Sequence, residues 1–97
     1  MADTTVVDPL GRSITLHDHT WFGHILKGHP ECRGDRGLAE QAIRSPSTIR
    51  LSAADVDCRV YYGKGPSGLL LAVVADVARG FVKTAYRTRT PKGVVEW

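Results

Sequence analysis

The chain has 97 residues, 42% of them hydrophobic and 24% charged, with a formal net charge of +3. That length and composition fit one folded domain over residues 1–97 and do not argue for intrinsic disorder. The longest apolar run, residues 69–75, stops at Asp76, and residues 1–5 lack the basic and apolar stretches of a secretory signal. The expectation is therefore a soluble cytoplasmic domain with no membrane partner.

Residues 5–7 and 13–16 are short β-prone runs flanking Asp8-Pro9-Leu10-Gly11, which predicts an N-terminal hairpin. A helix follows, capped by Asp18 or Thr20, with Trp21, Phe22, Ile25 and Leu26 as its apolar face and Gly28 and Pro30 as its stop. A second helix is predicted from about Asp35, its cap, to Arg44, with Leu38, Ala39, Ala42 and Ile43 as the apolar stripe. Beyond Pro46 the period falls to two. Strands are predicted at residues 48–52, 59–62, 69–75 and 81–90, with Gly63-Lys64-Gly65-Pro66-Ser67-Gly68 as a turn. The run 69–75 is apolar on both faces, as in a central strand covered on both sides. The predicted fold class is α+β: an N-terminal hairpin and two helices packed on a roughly four-stranded antiparallel sheet.

Cys32 and Cys58 lie 26 positions apart with no CxxC pair and read as reduced thiols. All four histidines, His17, His19, His24 and His29, fall in the first third of the chain. Metal binding is one reading. Against it, His19 to His24 and His24 to His29 are both five apart, whereas two ligands on one helical face want a spacing of four. No metal and no cofactor are expected. Acid–base catalysis is the other reading. An α-helical wheel puts His24 roughly 130° from the apolar face, on the flank of the helix. His29 lies just past the helix end beside Glu31. Surface histidines without a role remain the alternative, and His17 and His19 read as loop or capping residues.

The charge is unevenly spread. Residues 1–57 hold 6 Lys/Arg and 8 Asp/Glu, net −2, and residues 58–97 hold 7 Lys/Arg and 2 Asp/Glu, net +5. Much of the excess lies on the last strand. Period two puts Lys83, Arg87 and Arg89 on one face, suited to phosphate, and Thr84, Tyr86 and Thr88 on the other, suited to hydrogen bonding. A bulge would be needed to bring the two sets together. A charged, solvated edge strand is the alternative.

Five short pieces in order give a family resemblance: Val6-Val7-Asp8 with Gly11-Arg12; His24-Ile25 with His29-Pro30-Glu31; residues 43–49 around Pro46; Tyr61-Tyr62; and Thr84-Ala85-Tyr86 with Lys92-Gly93. Together they resemble the phage-associated branch of the Barnase–EndoU–colicin–RelE (BECR) nuclease superfamily. The resemblance implies a metal-independent ribonuclease with its site between helix and sheet. It points to His24, His29, Thr84 and Tyr86, with Glu31 in support.

On that basis the expected function is an RNA endonuclease, a toxin or phage-conflict effector acting on tRNA or mRNA, neutralised by an antitoxin or immunity protein. The 2′-OH of RNA would attack and leave a 2′,3′-cyclic phosphate. His24 and His29 would share the proton transfers, Lys83 and Arg87 would hold the phosphate, and Thr84 and Tyr86 would position it. The alternative is a non-catalytic RNA- or protein-binding module of the same fold.

Overall fold

The computed structural model describes residues 2–97. Strands β1 (Thr4–Val7) and β2 (Ser13–Leu16) form the expected hairpin. Residues 18–28 then form one continuous helix, α1. It is α-helical over Asp18–Thr20, π-helical over Trp21–Ile25 and α-helical again over Leu26–Gly28. A 3-10 turn, Pro30–Cys32, leads into α2 (Arg36–Arg44). The remaining strands are β3 (Thr48–Leu51), β4 (Cys58–Lys64), β5 (Leu70–Asp76) and β6 (Phe81–Thr88). Among the described residues no helix is long and apolar enough to cross a membrane.

The α+β class and the β3–β6 meander agree with expectation, but the sheet differs. It has six strands in the order β1-β2-β6-β5-β4-β3, not four, and it is mixed. The hairpin joins the meander because the β5–β6 turn presents the Gly80 carbonyl to the Thr15 N–H at 2.9 Å. That contact sets β2 parallel to β6 at a single pair, Thr15 and Phe81. Beyond it the chain leaves β2 for α1, so the helix rather than a strand flanks the rest of β6.

The main core lies between the sheet and the helices. Trp21 and Ile25 of α1 and Ala39, Ala42 and Ile43 of α2 pack with Ile14, Leu16, Tyr61, Leu71, Val73, Val82 and Ala85. Helix α2 approaches β4 closely at Gly63, where a Cβ would lie 2.6 Å from the Ala42 Cβ. Only glycine leaves room for the helix there.

The other face of the sheet carries a smaller cluster of Val60, Tyr62 and Ala72, with Leu70, Val74 and Tyr86 beside it. Strand β5 was expected to be covered on both sides. Among the described residues no helix lies over this second face. The β3–β4 loop and the C-terminal tail border it instead, because the tail crosses to the outer edge of β3. There Ile49 N–H donates to the Trp97 carbonyl at 2.9 Å and Leu51 N–H donates to the Val94 carbonyl at 2.8 Å. Gly93 makes the crossing possible, since a Cβ there would sit 2.7 Å from the Leu51 carbonyl oxygen.

A polar network closes the curled sheet. The buried Asp8 carboxylate accepts the Tyr61 hydroxyl at 2.6 Å and Arg12 Nε at 2.7 Å. Arg12 reaches on to Glu96 at 2.7 Å, and Glu96 also receives Arg59 at 2.7 Å. The hairpin turn, β4 and the tail are thereby tied together. Burial works to raise the Asp8 carboxyl, but hydrogen bonds from Tyr61 and Arg12 outweigh it and hold the group below its ordinary range.

Candidate active site

Helix α1 positions the histidines. An α-helical repeat would rotate residues five apart away from one another, but residues 21–25 form a π turn in which the Leu26 N–H bonds back five residues to the Trp21 carbonyl. Trp21 and Ile25 stay buried on the core side, while Phe22, Gly23 and His24 are exposed. A five-residue hydrogen-bonding repeat brings residues five apart into line. His19 and His24 accordingly line the same cavity of about 390 Å³, between α1 and the edge of β6, together with Thr20, Phe81, Val82 and Lys83. His24 is exposed, as its flank position predicted. His19 was read as a loop or capping residue. The signal missed was the spacing of five itself, which counts against a shared face only in a regular α-helix.

His29 follows the end of α1. Its ring centroid lies 5.9 Å from that of Tyr86, with the planes tilted by 38°. Its Nδ1 is 3.2 Å from Glu31 Oε2, in the 3-10 turn that Pro30 opens. The structure thus brings His29, Glu31 and Tyr86 together and puts His24 beside Lys83. Burial first, and then the neighbouring Tyr62, raise the Tyr86 hydroxyl above its ordinary value, so it stays protonated and can donate.

Lys83, Thr84, Tyr86 and Arg87 do not form one phosphate clamp, because Arg87 stays apart on the other face of β6. The ladder shifts opposite Val74 and Ala75: Thr84 pairs with Val74 and Val82 with Ala75, leaving Lys83 as the extra, bulged residue. Thr84 and Tyr86 share the face without helices. Lys83 is exposed, with Nζ 3.7 Å from Asp55 Oδ2. Arg87 points the other way and is engaged by Asp35, Nε to Oδ2 at 2.9 Å and Nη2 to Oδ1 at 3.2 Å. Asp35 occupies the N-cap position of α2, as expected, but its side chain makes no capping bond. Its carboxylate serves Arg87 instead.

The positive excess of the C-terminal half is largely neutralised in the fold. Arg59 pairs with Glu96, Arg79 with Asp76 and Asp57, Lys83 with Asp55, and Arg87 with Asp35. Lys64, Arg89 and Lys92 are exposed and form no ion pair among the described residues. His17 also has a structural partner: its Nδ1 is 2.8 Å from Asp3 Oδ2, tying the N-terminal segment to the start of α1.

Cys32 and Cys58 are both buried, free thiols. Burial, with Glu31 and Asp35 nearby, pushes the Cys32 thiol up to about 11, so it is a poor nucleophile at neutral pH. Among the described residues no three His, Cys, Asp or Glu side chains are grouped to hold a metal ion. No protein-family model, curated protein or solved structure matches the chain.

Proposed function

We propose that the chain is a metal-independent RNA endonuclease that uses the 2′-OH of its substrate as the nucleophile. The observation that carries this reading is the grouping of His29, Glu31 and Tyr86 beside the open edge of β6. With Glu31 accepting the Nδ1–H of His29, the free lone pair lies on Nε2. His29 then takes the 2′-OH proton as that oxygen attacks phosphorus. The P–O5′ bond breaks, and His24, as the acid, protonates the leaving 5′-oxygen. The products are a 2′,3′-cyclic phosphate and a 5′-hydroxyl. Tyr86 donates to a non-bridging phosphate oxygen, Thr84 orients the same group, and Lys83 offsets the charge that develops on the phosphorane.

Arg87 fits a different role from the phosphate ligand expected of it, because Asp35 already neutralises it. It ties Asp35, at the start of α2 just after the His29–Glu31 turn, to β6. The same neutralisation favours the second reading, a non-catalytic RNA- or protein-binding module, which would bind RNA in a salt-dependent way without cutting it.

The biological setting that goes with the ribonuclease is a toxin or phage-conflict effector acting in the cytoplasm on tRNA or mRNA, kept in check by an antitoxin or immunity protein. The resemblance read from the sequence supports this setting, and toxicity on expression without a neutralising partner tests it.

The decisive assay is cleavage of mixed RNA in EDTA by wild type, His24→Ala and His29→Ala. Cleavage that persists in EDTA, gives cyclic phosphate ends and falls in both variants is expected. Loss of cutting in EDTA, 3′-hydroxyl ends or fully active variants overturn the mechanism.

A further inference from the structure

The face of the sheet without helices holds a cavity of about 360 Å³ that none of the proposed proton transfers uses. Its floor is apolar and partly aromatic, formed by Val60, Val74 and Tyr86. The β3–β4 loop supplies one rim, with Ser52 and Ala54, and the tail supplies the other at Lys92. Tyr62 is nearly buried and braces that second rim, its hydroxyl accepting the Lys92 N–H at 3.2 Å. Lys92 is exposed and forms no ion pair among the described residues, so its charge is free to meet an anionic strand. Tyr86 belongs both to this floor and to the edge facing His29, with the two rings 5.9 Å apart at their centroids.

An apolar, aromatic floor with a few polar groups at the rim is the chemistry of a site for an unstacked nucleobase. We infer that this cavity is a base-binding subsite, which takes one unpaired base of an RNA strand whose neighbouring phosphate lies at His29 and Tyr86. The inference rests on the ribonuclease reading for that neighbouring edge. It adds a substrate class to it: single-stranded or looped RNA, since a base inside a duplex cannot leave its stack to enter.

The test separates base binding from cleavage. Short single-stranded 2′-O-methyl oligonucleotides lack the nucleophile and are not cut. A set of them, each with 2-aminopurine at one position, is titrated with wild-type protein at low salt. Quenching of 2-aminopurine emission at a preferred position is expected. Val74→Trp fills the floor and should remove that quenching and weaken binding about tenfold, the scale of one lost stacking contact.

Because Val74 is half-buried, Ala54→Trp on the exposed loop is the second plug, and circular dichroism confirms its fold. No quenching at any position, or quenching unchanged in folded Ala54→Trp, overturns the inference. Cleavage of natural RNA is measured in parallel. Cutting without quenching removes only the base subsite, whereas quenching without cutting supports the subsite and removes the ribonuclease reading.

Discussion

Arg87 forks onto Asp35, with two hydrogen bonds of 2.9 and 3.2 Å joining the middle of the chain to its last strand. The carboxylate is nearly buried, with 7% side-chain exposure, so either partner alone would be left poorly solvated. Arg87→Ala and Asp35→Ala are each expected to destabilise the fold by about 1–3 kcal/mol. The double variant should cost little more than either single one. Urea unfolding of the four proteins measures that coupling, and simple additivity would show the pair to be energetically idle.

Variants of His29, Glu31 and Tyr86 separate positioning from chemistry. His29→Ala should lower the cleavage rate by about 10²–10⁴, the range of a general acid–base group. Glu31→Gln keeps a hydrogen-bond acceptor beside Nδ1 and should cost less. Tyr86→Phe should reduce turnover while leaving the melting temperature nearly unchanged. Single-turnover cleavage, paired with thermal melts, distinguishes these outcomes, and a wild-type rate for Tyr86→Phe would remove its hydroxyl from the reaction.

Acid should loosen the network around Asp8. Its carboxyl is held below the ordinary range in the folded state, so the folded protein releases that proton more readily than the unfolded chain. The stabilisation is fully present above the unfolded value, near pH 4, and is lost as pH falls through the depressed folded value. Glu96 adds to the same trend, its carboxyl lowered chiefly by the hydrogen bond from Arg12. Tyr61→Phe removes one donor to Asp8 and should cost about 1–2 kcal/mol at neutral pH. It should also shift the onset of acid unfolding upward, as read by denaturation across a pH series. An unchanged acid midpoint would show that Asp8 does not govern it.

Gly63→Ala sets a methyl group 2.6 Å from the Ala42 Cβ. Helix α2 has to move off β4 to accept it, at about 1–3 kcal/mol. The melting temperature should fall accordingly, and an unchanged value would mean that α2 sits less tightly than the structure has it.

The helices, the hairpin and the four later strands were legible because each carries a local signal. The apolar stripe of α2 and the alternation in β3 are examples. The joining of the hairpin to the meander was not, since it rests on one nonlocal bond between Thr15 and Gly80. The tail's pairing with β3 was equally hidden, because residues 94–97 carry no long β-prone run and are placed by backbone hydrogen bonds alone. In the candidate site, His24, His29 and Glu31 were singled out by local spacing, and Tyr86 by its strand and its resemblance. The pairing of Arg87 was not legible, because cationic character on a strand face says nothing of a carboxylate 52 positions away in the chain. Tyr62, read as part of a motif, and Ser52, read as a strand end, were not assigned to a site because only the folded sheet gathers them around one cavity.

Helix α1 has one residue more than a regular α-helix needs to cover the same turn, and that surplus sits between Trp21 and Ile25. A single-codon deletion at Gly23 would let the segment relax to ordinary winding. Because the deletion removes only the surplus, the segments on either side would keep their relative orientation, and His19 and His24 would stand four apart, the same-face spacing of a regular α-helix. A deletion variant that melts and acts like the wild type would mark the π turn as the means by which this fold absorbs an inserted residue without disturbing what lies on either side of it.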